Sequence, residues 1–226
     1  MRSPDHAPIL EARCLTKSFG RRPGLVGVSL TVDRSSVVAV TGGNGAGKST
    51  LLRCLAGIAR CRGDVLLGGR PVDDAAARRS FSYLPQYVEL PATSSVAEVL
   101  YLFARLRRVP PESHPLPPGF LPAPDAVIAT LSGGQRRRVA IAAALVGTPA
   151  LLLLDEPDAS LDEEGRLGLW DTLGALRDAG TTVLIATPAS SDLGGLADRL
   201  VVLDDGKVVH DALVDRCLPS LCGTVR

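Results

Sequence analysis

Apolar residues fall in two rhythms along the chain. Val37–Thr41, Leu151–Leu154, Thr182–Ala186 and Leu200–Leu203 are short, nearly continuous β-branched or leucine-rich runs. Stretches with helical spacing lie between them: Ser49–Ala56, Gln135–Leu145 and Glu163–Ala179. Continuous apolar strands alternating with helices predict a mostly parallel α/β sheet covered on both faces. Ile9–Leu15 and Val26–Val32 instead alternate apolar and polar residues, which predicts antiparallel strands with one solvated face. Val96–Arg108 reads as an amphipathic helix with an apolar stripe of Val96, Val99, Leu100, Leu102, Phe103 and Leu106. That helix ends at Pro110–Pro111. Residues 110–124 then carry seven prolines and form neither regular helix nor central strand, so a surface loop is expected there. No internal repeat is present.

Length and composition narrow the picture. The 226 residues make one large domain or two small ones, and a hydrophobic share of 46% supplies a sizeable core. With only 4% aromatic residues, that core is built from Leu, Val and Ala. Lys and Arg number 25 against 24 Asp and Glu, so charge gives no reason to expect nucleic acid as the main partner. The cluster Arg136–Arg138 reads as a solvated helix face. Cysteines 14, 54, 61, 217 and 222 show no Cys-x-x-Cys spacing and no histidine in a zinc pattern, so reduced thiols are expected. Met1–Pro8 contains Arg2, Asp5 and His6 and lacks the apolar core of a secretory signal. Apolar runs such as Ala150–Leu154 fall far short of the roughly 20 residues that span a bilayer. A soluble chain is expected, whose membrane role, if any, requires a separate partner chain.

Two segments carry chemistry. Gly42-Gly43-Asn44-Gly45-Ala46-Gly47-Lys48-Ser49-Thr50 matches G-x-x-x-x-G-K-[ST], and it lies between a predicted strand and a predicted helix. Glycines let backbone N–H groups approach phosphate oxygens, and the helix N-terminus adds positive dipole. Lys48 is expected on the β- and γ-phosphates and the Ser49 hydroxyl on Mg²⁺. The second segment is the strand Leu151–Leu154 ending in Asp155 and Glu156. Ligands gather at the carboxyl ends of strands in open parallel sheets. Asp155 is therefore expected to hold Mg²⁺. Glu156, turned to the opposite side by strand alternation, is expected to polarise an attacking water.

Leu131-Ser132-Gly133-Gly134-Gln135 brings in a family. Ser132 is a good N-cap, and Gly133 and Gly134 expose N–H groups at a helix start, which makes a second anion site. Together with Gly42–Thr50, Gln86 and Leu154–Glu156, this segment resembles the signature of the ATP-binding cassette (ABC) ATPases over about residues 9 to 210. The resemblance implies one P-loop NTPase domain over 1–226. Its core would be 9–90 and 146–210, its shortened helical and signature subdomain 91–145, and its tail 211–226. The resemblance also implies ATP and Mg²⁺ as ligands and head-to-tail pairing with a second cassette, the same or different. Each ATP would then lie between one chain's phosphate loop and the other's Leu131–Gln135. By the same resemblance, Phe19 stacks on adenine, Gln86 senses Mg²⁺ and links to a transmembrane subunit, and Ser160-Leu161-Asp162 crosses the dimer interface. Gly43 stands where Pro or Ser is usual, which is expected to be harmless.

Two departures stand out. The family has a histidine after Thr187 that contacts the γ-phosphate. This chain has Pro188, which lacks both a side-chain donor and a backbone N–H. The proline-rich stretch also occupies a region where the family has a helical subdomain. The resemblance implies a subunit on the inner face of the plasma membrane that couples ATP to transport, with weakened hydrolysis at its own site. The alternatives are a non-transport cassette ATPase and a regulatory cassette that binds ATP but hydrolyses it poorly.

Overall fold

A computed structural model describes residues 7–110, 114–188, 193 and 195–214. His6, Cys217, Cys222 and most of the expected tail lie outside the described residues. Two sheets form the frame. The first is antiparallel, with strands β1 (Leu10–Phe19), β2 (Arg22–Val32), β4 (Arg62–Leu67) and β5 (Arg70–Pro71) in the order β2-β1-β4-β5. The second has six strands: β3 (Val37–Thr41), β6 (Phe81–Leu84), β7 (Leu151–Asp155), β8 (Thr182–Ala186), β9 (Arg199–Asp204) and β10 (Lys207–Leu213). Its order is β10-β9-β3-β8-β7-β6, parallel except where β10 returns antiparallel to β9.

The side-chain alternation of the central strands divides the core in two. Val38, Val40, Leu151, Leu153 and Leu184 pack against α1 (Lys48–Leu55) and the antiparallel sheet. Leu152, Leu154, Val183 and Ile185 face the other way, toward α3 (Val96–Arg107), α4 (Gly133–Leu145) and α5 (Glu163–Asp178). A short helix α2 (Ala75–Arg79) leads into β6. The order of layers is thus antiparallel sheet, α1, parallel sheet, helices. Asp155 follows Leu151 and Leu153 in strand parity, which sends its side chain toward α1.

Helix starts obey their caps. Ser95 with Glu98 and Ser132 with Gln135 form full capping boxes at α3 and α4. The Asp162 carboxylate accepts from Gly165 N at 3.0 Å and caps α5. Each such cap contributes about 1 kcal/mol. The strands and helices expected from periodicity all occur, with ends shifted by a few residues at most outside the long β1–β2 hairpin. The proline-rich stretch departs from expectation. It is irregular, but it is not a simple surface loop: Leu116 and Phe120 are buried in the core shared by α3, α4 and α5. Two apolar anchors pin a segment whose prolines have already removed much of its conformational freedom.

The turn between β3 and α1 is held from behind by residues far away in sequence. Gly206, in the β9–β10 turn, donates its N–H to the Ala46 carbonyl at 2.9 Å. The Gly206 carbonyl accepts from Val26 N at 2.8 Å. A Cβ on Gly47 would lie 2.7 Å from the Gly24 carbonyl oxygen, and one on Gly42 would collide with the Leu203 carbonyl oxygen. Gly42 and Gly47 have φ of 148° and 107°. Their lack of a side chain is therefore required by packing as well as by backbone conformation. Gly43 has open space around it.

These surroundings predict opposite outcomes for neighbouring glycines. Gly42→Ala should destabilise the fold by roughly 2–4 kcal/mol through overpacking and backbone strain. Gly43→Ser should stay within about 0.5 kcal/mol of the parent. Urea denaturation of the two variants distinguishes them, and equal stabilities would contradict the packing account.

Candidate functional site

The loop after β3 presents Gly43, Asn44 and Gly45 to solvent, while Ala46 is buried against the Gly206 turn. Lys48 is only 5% exposed. Its ammonium donates to the carbonyl oxygens of Gly42 at 2.8 Å and Gly43 at 3.1 Å. The lysine thus holds the loop's own acceptors, and the loop's outer rim is left rich in N–H donors. Such a concave, donor-lined turn at a helix N-terminus suits a phosphate group.

Ser49, one residue into α1, donates its hydroxyl to Asp155 Oδ1 at 3.0 Å. Asp155 is fully buried, and its second oxygen, Oδ2, has no partner. Burial pushes its pKa up from the usual carboxylate value, against the lowering effect of the Ser49 hydrogen bond. A buried carboxylate oxygen without a donor is costly, and a bound cation would relieve that cost. Among the described residues no three His, Cys, Asp or Glu gather into a metal cage. The donors present are two hard oxygens beside a phosphate-suited loop. That set fits Mg²⁺, which takes one or two protein oxygens and completes its shell with water and phosphate.

Glu156 does not continue the strand. Its φ is 46°, in the left-handed region, and its N–H donates to the Ala186 carbonyl at 2.8 Å. A left-handed turn, and not strand alternation, therefore sets the direction of its carboxylate. That carboxylate accepts from Gln86 Nε2 at 2.7 Å. The amide of Gln86 is engaged with Glu156, while Ser49 and Asp155 pair with each other. Next to them, at the carboxyl end of β8, Thr187 is buried with an unpartnered hydroxyl, and Pro188 follows it. Thr187 N donates to Val40 O at 3.0 Å, which ties this corner to the strand that precedes the phosphate-suited loop.

One residue of the site was not anticipated. Arg137 is 7% exposed and donates to five backbone carbonyls. They are Asp155 at 3.0 Å, Glu156 at 2.6 Å, Pro157 at 3.0 Å, Pro85 at 2.9 Å and Gln86 at 3.1 Å. Burial lowers its pKa from the usual arginine value, although the nearby Asp155, Asp158 and Glu156 charges oppose the shift. The reading of Arg136–Arg138 as a solvated face is therefore corrected. Only Arg136 is exposed; Arg138 pairs with Asp162 at 2.5 Å and stacks on Phe120 at 5.4 Å. A signal was available in the periodicity: Arg137 shares a face with Ala140, Ile141 and Ala144, all buried.

Leu131–Gln135 lies at the start of α4, away from the phosphate-suited loop in sequence. Ser132 and Gly133 are exposed, and a Cβ on Gly134 would lie 2.7 Å from the Ser160 carbonyl oxygen. The structure thus seats this segment directly on the loop Ser160-Leu161-Asp162. Phe19 is 56% exposed, with the Lys17 ammonium 5.3 Å from its ring centroid. It is not a core residue.

The comparisons with known proteins agree on one family. The ABC transporter family model matches residues 25–159. The chain belongs to the ABC transporter family. This cassette is 36% identical over 226 residues to the daunorubicin/doxorubicin resistance ATP-binding protein DrrA of Streptomyces peucetius, covering 96% of this chain and 68% of DrrA. It is 35% identical over 212 residues to the Nod factor export ATP-binding protein I of Rhizobium meliloti, covering 89% of this chain and 63% of that protein. The cassette thus spans about two thirds of the length of these curated relatives. Among solved structures it resembles a dimeric ATP-binding cassette in a post-hydrolysis state bound to ADP and Pi, with TM-score 0.77 and 25% identity over 91% of this chain and 99% of that one. Its fold is that of a P-loop ABC ATPase nucleotide-binding subunit. No helix among the described residues is long and apolar enough to cross a membrane.

Two outcomes follow from these geometries. Arg137→Met strips five carbonyls of a shared donor, and a loss of roughly 3 kcal/mol is expected in chemical denaturation. Arg137→Lys should recover only part of it, because an ammonium lacks the planar fork. The Asp155 pKa is raised in the folded chain, so its ionisation opposes folding. Stability of the ligand-free chain should therefore fall as pH rises from the unfolded carboxylate pKa, about 3.9, through the higher folded value. Asp155→Asn should raise the melting temperature of the ligand-free chain at pH 7, with the gain shrinking toward pH 4. A melting temperature unchanged or lowered at pH 7 would count against an uncompensated charge.

Proposed function

We propose that this chain binds Mg·ATP at Gly42–Thr50 and serves, as one cassette domain over 1–226, as the energy-coupling subunit of a membrane transporter, with slow hydrolysis at its own phosphate loop. The observation that carries the reading is the convergence of Lys48, Ser49, Asp155, Glu156 and Pro188 at one carboxyl edge of the parallel sheet. Phe19 stacks on the base. The N–H groups of residues 42–50 cradle the phosphates, and Lys48 leaves the Gly42 and Gly43 carbonyls to neutralise the β- and γ-phosphates. Ser49, Asp155 and Gln86 hold Mg²⁺, which when bound offsets phosphate charge. Glu156 accepts a proton from the attacking water, and the Gln86 amide orients its carboxylate.

The exposed Ser132–Gly133 start of α4, backed by Ser160, supports a second role. Leu131, Ser132, Gly133, Gly134 and Gln135 complete the nucleotide site of another cassette, and Ser160, Leu161 and Asp162 line the same face. Exposed Tyr87, directly after Gln86, and exposed Tyr101, Leu102 and Leu106 on α3 support contact with a transmembrane subunit at the inner face of the plasma membrane. Names of relatives that refer to drug resistance and export fit this coupling role.

Pro188 carries the slow-site part. Losing one preorganised donor where charge develops costs about 10²–10³ in rate. Because the chain keeps an intact Leu131–Gln135, pairing with a different cassette that retains the histidine restores one fast site per dimer. A regulatory cassette that hardly hydrolyses is the second reading, which Pro188 favours and the Gln86–Glu156 pair opposes.

Turnover of purified chain in Mg·ATP tests the proposal. Pro188→His should raise kcat by about 10²–10³. Glu156→Gln should keep ATP binding, lose residual turnover and accumulate as a dimer on gel filtration. A rate indifferent to both substitutions would remove Glu156 and Pro188 from the mechanism. Two copies of this chain with brisk activity in the purified transporter would remove the unequal pair.

A further inference from the structure

A cavity of about 380 Å³ lies on the antiparallel sheet, open to solvent and lined by Thr16, Lys17, Ser18, Arg60, Cys61 and Arg62. The first three are consecutive on β1, and the last three lead from the turn after α1 into β4. A regular strand turns every second residue to the opposite face. β1 departs from that rule here: its register slips against β2 on both sides of Lys17, and against β4 between Arg13 and Thr16, which brings Thr16 opposite Arg62. The turn that delivers Arg60 is fixed by its backbone, with Ile58 N and Ala59 N donating to Arg53 O at 2.9 and 3.0 Å. The lining carries three cations and no carboxylate. Among the described residues Arg60 and Arg62 make no ion pair and no side-chain hydrogen bond. The acids of these two strands are directed elsewhere: Glu11 holds Arg13 at 2.6 Å, and Asp64 stands opposite Arg13 in the β1–β4 register. Thr16 Oγ1 accepts from Gly27 N at 3.1 Å, which leaves its O–H to donate.

We infer that this cavity is a second anion site, built for a phosphate group. A guanidinium fork takes two phosphate oxygens at once, and an ammonium adds a point charge. Two such forks, one ammonium and the Thr16 and Ser18 hydroxyls line a single cavity, so donors are supplied on several sides. Like charges that share a cavity without a counter-charge repel one another, and an anion between them reverses the sign of that interaction. A free phosphate ion and a phospholipid headgroup carry the same group. Ile58, two residues before Arg60 on the same turn, is exposed, an apolar contact that only the lipid would use. The cavity is distinct from the phosphate-suited loop: that loop opens α1, whereas Arg60 and Arg62 lie beyond its other end.

Cys61 lines the cavity and Cys14 is exposed outside it, so alkylation of the folded full chain by iodoacetamide reads the site against an internal control. Cleavage before aspartates places Cys14 in residues 5–32 and Cys61 in residues 33–63 of the parent and every variant, and tandem mass spectrometry separates Cys61 from the buried Cys54. Inorganic phosphate, at an ionic strength matched with chloride, should slow Cys61 several-fold and leave Cys14 unchanged. Arg60→Gln/Arg62→Gln should lose that protection, read as the ratio of rates with and without phosphate, and Arg60→Lys/Arg62→Lys should keep part of it. Vesicles of phosphatidylglycerol should also protect Cys61, and the glutamine variant should partition to them about 30-fold less. Protection by vesicles that the glutamine variant loses makes the headgroup the source of the phosphate; protection by inorganic phosphate alone makes it the free ion. Absence of protection by either probe, or protection that persists in the glutamine variant, would overturn the site. Mg·ATP binding by the same variants should match the parent, which separates this cavity from the nucleotide reading.

Discussion

One buried guanidinium holds the site together. Arg137 reaches from α4 into the corner where β6 and β7 end and binds carbonyls on both exits. Those exits carry Gln86 and Glu156, so the geometry of the acidic corner depends on a helix whose own start is Leu131–Gln135. A charge in an interior is costly unless its donors are filled. Here neutral carbonyls fill them, and an ordinarily exposed residue type becomes the strut between the helical layer and the edge of the parallel sheet. The planar fork of arginine makes this possible, since one side chain spans five acceptors on two loops.

Asp155 shows the opposite arrangement. Its Oδ1 is satisfied by Ser49 and its Oδ2 by nothing, in a position with no exposure. The fold carries that cost because sheet parity turns the side chain toward α1, where the phosphate loop ends. Sites that bind cations commonly keep such uncompensated groups, and the chain is less stable for it until a ligand arrives.

Much of this was legible in the residues. Val37–Thr41 and Thr182–Ala186 occur as strands with the expected ends, because a run buried on both faces has little else it can be. The short strands β4 and β6 and helix α2 were not anticipated, since four to six residues give too brief a period to read. Arg137 was missed because three consecutive arginines suggest solvent, and composition outweighed the helical face on which the middle one falls. Strand alternation was the wrong ground for the direction of Glu156, because a left-handed φ interrupts the alternation just where the strand ends. Gly42 and Gly47 were assigned to phosphate approach alone, whereas carbonyls from residues 203 and 24 also forbid a side chain there. Such contacts join segments distant along the chain, and no local pattern records them. The same holds for Leu116 and Phe120, which anchor a segment that proline content alone marks as surface.

The bond between the Gly206 N–H and the Ala46 carbonyl has a consequence for synthesis. The phosphate loop is made early, but its rear support lies in a turn about 160 residues later in the chain. At roughly 5–20 residues per second, the ribosome needs on the order of ten seconds or more to deliver that turn, and longer before it clears the exit tunnel. During this interval β3 also lacks β8 and β9, its neighbours on both sides. The nascent chain therefore holds a complete loop sequence without a finished loop, and a transcript truncated before β9 would yield a product with the motif but not the cradle.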